Sequence, residues 1–209
     1  MPIAVDHEER RAEVVAVAAR LIAQSGMEAV SVRDIAEAAG CSTAIVSHYF
    51  HNKRELLLLT YNATIEHATL RAQTALAAAD GHPKAYLAEI MPLDEERWTE
   101  WRIWLQFWAK AAADPEIAEI QKNCVTRTRG NIQDILEDEQ RKGRIARDVD
   151  CALQARRLLT SIIGMAVQVM YDPKDWTVKR QNAFIDAELD AFYSREPERR
   201  RSAHRIAAE

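Results

Sequence analysis

The sequence predicts an all-α protein in which a small N-terminal module of three short helices joins a larger C-terminal helical bundle, about nine helices in all. Three observations predict it. Gly26, Gly40, Gly81 and Gly143 stand where apolar periodicity stops, and Pro83, Pro92, Pro115 and Pro173 where it is about to resume, the places where glycine ends helices and proline opens them. Side chains that can accept from the first free amides of a helix recur at the starts of these segments. No stretch of useful length alternates polar and apolar residues with the period of two that a strand requires.

Taken in order, segment 7–25 is a periodic run closed by Gly26. Segment 32–39 opens on Ser31 and Asp34, a capping-box pair, and carries the apolar stripe Val32, Ile35, Ala36 and Ala39 before Gly40. Segment 43–50 is capped by Ser42, and Ile45, Val46 and Phe50 are expected to face inward. Segment 53–79 opens on a second box, Asn52 with Glu55, and is long enough to join the two zones. Pro83 starts 83–91, and a tryptophan-rich run follows over 95–113. Asp114 and Pro115, a cap and its favoured first-turn proline, open 115–142. Asp150 caps 151–171, which holds the apolar run LLTSIIGMAVQVM, and 177–194 completes the series. The expected domains are 1–52, 53–195 and a basic, flexible tail over 196–209, within which and just before which five arginines meet two glutamates in SREPERRRSAHR.

Composition narrows the class. At 209 residues, 48% hydrophobic and with a net charge of only −4, the chain is too apolar for global disorder and large enough to bury a core. Cys41, Cys124 and Cys151 are odd in number and lack metal or disulfide spacing, which points to a reducing cytosol. The start MPIAVDHEERR has no basic region followed by an apolar run, and nothing approaches a membrane span, so a cytoplasmic protein with no membrane partner is expected. There is no G-x-S-x-G, no phosphate-cradling glycine loop and no H-E-x-x-H, so no catalytic residue, cofactor or enzymatic activity is expected.

Residues 31–53 carry the functional reading. Two short helices meet across a glycine-containing turn, and Thr43, Ala44, Ser47, His48 and His51 are left facing out near the start of the second. That is the geometry of a DNA-reading helix-turn-helix. Thr and Ala can meet a thymine methyl, His can donate or accept at a base edge, and Lys53 stands at a helix start aimed at the backbone. His48 and His51 have the spacing of a ligand pair but no third ligand is evident, so no metal is expected. The acidic balance extends even here, six basic against eight acidic side chains over residues 1–55. It predicts weak non-specific attraction to DNA, with affinity concentrated at a matched site by a few placed donors.

At this point the chain resembles the TetR family of bacterial transcriptional regulators, through helix 7–25, DIAEAAGCSTAIVSHYFHNKRELL and the long helix after it. GRIARDVD ahead of an apolar helix and STAIVSHYF with the tryptophan helix resemble the choline and glycine-betaine branch. The resemblance implies Thr43, Ala44 and His48 at base edges, with Tyr49 and Lys53 on phosphates. Arg33, Ser42 and Ser47 complete the expected DNA-binding set. Ser47 stands where the family usually has Tyr, so that contact reduces to a hydroxyl or a water.

Trp98, Trp101, Trp104 and Trp108 fall within eleven residues of one segment. At about 100° per residue they span an arc of roughly 120°, with Phe107 opposite. Such a face is either a bulky core stripe or the aromatic wall a quaternary ammonium group needs. The expected ligand-binding set is Trp101, Trp104, Leu105, Trp108, Tyr61 and Tyr86, and the effector a quaternary-ammonium or polyamine-like cation.

One recognition helix reads too few bases alone, so a homodimer on a palindromic double-stranded DNA operator is expected. Segments 151–171 and 177–194 carry long apolar faces, Leu153, Leu158, Leu159, Ile162, Ile163, Val167 and Met170 on one and Val178, Phe184, Ile185, Leu189 and Phe192 on the other; the resemblance implies that they pair with their copies, and packing in the core of one chain is the alternative. The leading reading is a ligand-responsive repressor. A helical DNA-binding or scaffold protein without an effector and a helical enzyme are the competing ones.

Overall fold

The computed structural model describes residues 3–192, so the basic tail over 196–209 lies outside the described residues. Within them nine helices and no strand element are found: α1 Ile3–Ser25, α2 Val32–Ala38, α3 Thr43–Tyr49, α4 Lys53–Ala78, α5 Pro83–Glu89, α6 Glu95–Ala111, α7 Pro115–Arg141, α8 Cys151–Tyr171 and α9 Val178–Asp190. The all-α expectation holds. Most differences lie at helix C-termini, which stop one to four residues early because the last periodic residues close turns rather than extend the helix.

The caps explain the starts. Ser31 and Asp34 form the full reciprocal box at α2. At α4, Asn52 Oδ1 accepts from the Glu55 amide, but the Glu55 carboxylate reaches one residue further back and accepts from the amide of His51. Asp94, Asp114, Asp150 and Thr177 accept from first-turn amides of α6, α7, α8 and α9.

The described residues divide into two compact units, one of residues 3–69 and 94–122, the other of residues 70–93 and 123–192. The first joins α1, α2, α3, the start of α4, α6 and the start of α7. The stripe Val14, Val17, Ala18 and Ile22 of α1 is buried together with Ile35, Val46, Phe50, Leu56, Ile103 and Phe107, each buried Val, Ile, Leu or Phe side chain contributing about 1.5–3 kcal/mol. The α1–α2 corner turns at Gly26, φ 87°, and is held by Gln106 of α6. The Gln106 amide Nε2 donates to the Ile22 carbonyl at 3.1 Å, and its Oε1 accepts from the Met27 amide at 2.6 Å.

The second unit packs α5, α8 and α9 with the end of α4 and most of α7. Leu136, Leu158, Ile162, Ala166, Val169 and Ile185 are buried in it. Glu139 is buried as well, accepting from Arg144 Nη1 at 2.9 Å and Lys142 Nζ at 3.1 Å. Lys142 Nζ also donates to the Asp80 carbonyl, tying the α4–α5 turn to the end of α7. Here part of the apolar faces of α8 and α9 follows the core-packing alternative. Leu158, Leu159, Ile162, Ile185 and Leu189 are core of this unit, whereas Leu153 and Val178 are each 49% exposed. The apolar arc of α8 is wide enough to serve the core on one side, with an exposed edge left over.

Candidate DNA-binding face and ligand residues

The helix-turn-helix is built as its residues require. Gly40 takes φ 63° in the turn, a left-handed conformation that costs a side chain about 1–2 kcal/mol. Ser42 Oγ accepts from the Ile45 amide at 3.3 Å and starts α3, so part of its hydrogen-bonding capacity is used by the helix. Val46 and Phe50 anchor α3 to the core at 1% and 3% exposure, but Ile45 is 40% exposed. Ile45 precedes Val46 by about 100° around the helix, which leaves it at the edge of the buried face rather than within it.

Thr43, Ala44, Ser47 and His48 are exposed side by side on α3, and Arg33 is exposed on α2. Tyr49 and Lys53 are half-buried, with Lys53 Nζ 3.5 Å from the Glu28 carbonyl. His7 of α1 joins this face. Its Nε2 lies 3.2 Å from His48 Nε2, and its ring meets that of Tyr49 edge-on at 4.5 Å. Arg10 donates to the Ala39 carbonyl at the turn, and the Arg11 guanidinium lies 5.5 Å over the Phe50 ring. Nothing in the sequence pattern pairs residues 7 and 48, which lie 41 positions apart. The Arg54 guanidinium beside Asp114, hydrogen-bonded at 2.6 Å, holds that carboxyl down to about 2, while hydrogen bonds from Ser31 hold Asp34 below the usual carboxylate range.

On α6 three of the four tryptophans form one cluster, while the Arg102 guanidinium lies 5.6 Å over the ring of Trp98. Trp101 meets Trp104 and Trp108 edge-on, with ring centroids 5.4 and 5.5 Å apart. Trp104 Nε1 donates to Thr64 Oγ1 at 2.9 Å, Trp108 Nε1 donates to the Tyr61 hydroxyl at 3.3 Å, and that hydroxyl donates to Gln121 Oε1. Tyr61 stacks on Phe107 at 4.3 Å. Trp101 and Trp104 are 3% and 9% exposed. The structure therefore brings Trp101, Trp104, Trp108 and Tyr61 together, with Leu105 half-buried on the same helix. Tyr86 belongs to the other unit, where it accepts from Asn131 Nδ2 at 3.1 Å and burial pushes its phenol up.

A cavity of about 790 Å³ opens beside this cluster within the first unit, among α1, α4 and α6. Val15, Leu59 and Ile103 supply apolar lining, and Thr64, His67 and Glu100 polar lining; the clustered tryptophans do not line it. Thr64 thus lines the cavity and also accepts from Trp104.

Comparison with known proteins places this geometry. Residues 14–59 match the family described as bacterial regulatory proteins of the tetR family, and residues 83–194 match the BetI-type transcriptional repressor C-terminal family. The HTH-type transcriptional regulator PksA of Bacillus subtilis is 30% identical over 177 residues, 83% of this chain and 84% of that protein. BetI of Burkholderia mallei is 28% identical over 136 residues, 63% of this chain and 70% of BetI. A crystal structure from Saccharomonospora viridis, described as a transcriptional regulator in complex with choline, superposes with a TM-score of 0.81 at 25% identity, covering 90% of this chain and all of that one. A regulator from Rhodococcus sp. Rha1 shares the fold at a TM-score of 0.75. These families are of regulators, not enzymes, and among the described residues no helix is long and apolar enough to cross a membrane. The chain belongs to the TetR family of DNA-binding transcriptional regulators and carries a BetI-type repressor C-terminal domain.

Proposed function

We propose that the protein acts in the cytoplasm as a homodimeric repressor, binding a palindromic operator through α3 of each protomer and releasing it when a small organic cation binds. The observation that carries the reading is the row of small and polar side chains, Thr43, Ala44, Ser47 and His48, exposed on a helix whose other face is locked into the core by Val46 and Phe50. Thr43, Ala44 and His48 read base edges, Ser42 and Ser47 contribute hydroxyls, and Arg33, Tyr49 and Lys53 bind phosphates. Pairing of two protomers uses the exposed edge of α8 and α9. Leu153, Tyr171 and Val178 are exposed there, and Gly164 has open space around it that lets a second helix approach.

The effector class follows from the aromatic cluster and from the choline-bound relative in structure. Each indole face offers a cation about 0.5–2 kcal/mol. Trp101, Trp104, Leu105, Trp108 and Tyr61, all in the first unit, form the candidate binding set. Trp104 and Trp108 are bonded to Thr64 and Tyr61 of α4, and α4 starts at Lys53, shortly after the recognition helix. A ligand that reorders those bonds shifts α4, and a coupling of about 1–3 kcal/mol changes operator affinity about 5–150-fold. The burial of Trp101 and Trp104 favours a second reading, in which the cluster is core and carries no effector. Titrating choline, betaine and a polyamine while following tryptophan emission and binding to the promoter beside the protein's own coding region separates the two. A cation that quenches emission and releases the promoter supports the first; saturating cations that move neither signal support the second.

A further inference from the structure

The α1–α4–α6 cavity holds a donor set that the regulator reading does not use, and we propose that His67, Glu96 and Glu100 bind a divalent first-row transition-metal ion there. Glu96 and Glu100 stand one turn apart on α6, and His67 meets them from α4. His67 Nδ1 lies 3.4 Å from Glu96 Oε1 and 3.4 Å from Glu100 Oε1, and the three donor atoms all fall within 4.8 Å of one another. Bonds of about 2.0–2.2 Å in tetrahedral geometry separate neighbouring donors by about 3.4 Å. Both imidazole–carboxylate gaps match that spacing, and rotation of the exposed Glu96 side chain closes the third.

The arrangement is more than two adjacent carboxylates. All three side chains line the cavity. Glu100 is 5% exposed and forms the fixed, deep ligand, while His67 and Glu96 have side chains 60% and 56% exposed and leave an ion a way in. The two carboxylates attract a dication, and Val15, Leu59 and Ile103 line the same cavity. The imidazole selects against Mg²⁺ and Ca²⁺, which favour all-oxygen shells, and for ions such as Zn²⁺. The bound ion would clamp α4 to α6 within the unit that carries the recognition helix.

The test uses the full chain and zinc sulfate alone, followed by calorimetric titration and thermal melting. One ion per chain and a raised melting temperature are expected. His67→Gln and Glu96→Gln, both at exposed positions, should each weaken binding about tenfold or more, since loss of even an outer-shell partner costs about 10–100-fold. His7→Ala, which breaks the His7–His48 pair of ring nitrogens, should leave the affinity unchanged. An anomalous diffraction peak among the three donor atoms supports the site independently of any variant. No zinc binding by the wild-type chain, or binding that His67→Gln and Glu96→Gln both retain, overturns it.

Discussion

Replacing Gln106 by leucine tests whether α6 holds the corner between α1 and the helix-turn-helix. The substitution keeps the side-chain stem and roughly its volume but removes two bonds to the corner: Nε2 to the Ile22 carbonyl at 3.1 Å and the Met27 amide to Oε1 at 2.6 Å. Met27 is 4% exposed, so water is poorly placed to replace the lost acceptor, and an orphaned buried amide costs about 1–3 kcal/mol. The Ile22 carbonyl also accepts from the Gly26 amide, so its loss is the ordinary net value of one bond, about 0.5–1.5 kcal/mol. Together these give about 1.5–4.5 kcal/mol. For a chain of this length each kcal/mol lowers the melting temperature by about 2–4 °C, so the variant should melt roughly 3–18 °C below wild type. Amide hydrogen exchange should quicken most at Met27. A variant that melts with the wild type, or one whose Met27 amide keeps its protection, refutes the role given to Gln106.

Lys53→Ala should weaken binding by a similar factor on all sequences and flatten the salt dependence by about one unit of slope per protomer, whereas His48→Ala should change which base is preferred; gel-shift series over salt and over operator variants measure both. Gly40→Val should destabilise by about 1–2 kcal/mol, a purely backbone effect because no atom lies within 4 Å of the added Cβ, and Gly40→Asn should cost less; urea unfolding reads the difference. Acid should reveal the Arg54–Asp114 pair. Asp114 is held down to about 2 in the folded chain, below the usual carboxyl value near 3.9. Its contribution is therefore present above about pH 4 and lost as pH falls through about 2. The gap in stability between wild type and Arg54→Ala should shrink over that window; a gap that stays constant on acidification counts against the pair.

How much of this was legible in sequence depends on the range of the interaction. Helix starts are local events: the capping side chain and the amide it satisfies lie two or three residues apart, so Ser31, Ser42, Asp114 and Asp150 could be read directly. The exposed residues of α3 were legible for the same reason, as Gly40 and Ser42 set the phase of the helix. Ile45 was misplaced because an edge residue and a core residue differ by one position. The wide apolar arc of α8 left pairing and core packing both open, since periodicity marks a buried face without saying what covers it, and much of the arc fills the core. Phe107 lay opposite the tryptophans on the wheel, and its stacking on Tyr61 depends on where α4 runs. His7 with His48, Gln106 with Met27, and His67 with Glu96 left no trace in the pattern. They join residues 41, 79 and 29 positions apart, and only packing brings them together.

The tryptophan cluster has an optical consequence. Four of the chain's five tryptophans lie on α6 in one compact unit, and Trp176 lies in the other. Trp101 sits within 5.5 Å of both Trp104 and Trp108, with ring planes inclined at 61° and 75°. Indoles that close, held at fixed non-parallel angles, couple their electronic transitions and exchange excitation. The near-ultraviolet circular dichroism of the protein should therefore carry a structured indole signal from α6. Replacing Trp101 alone should weaken it, making that signal a probe of order in the unit that carries the recognition helix.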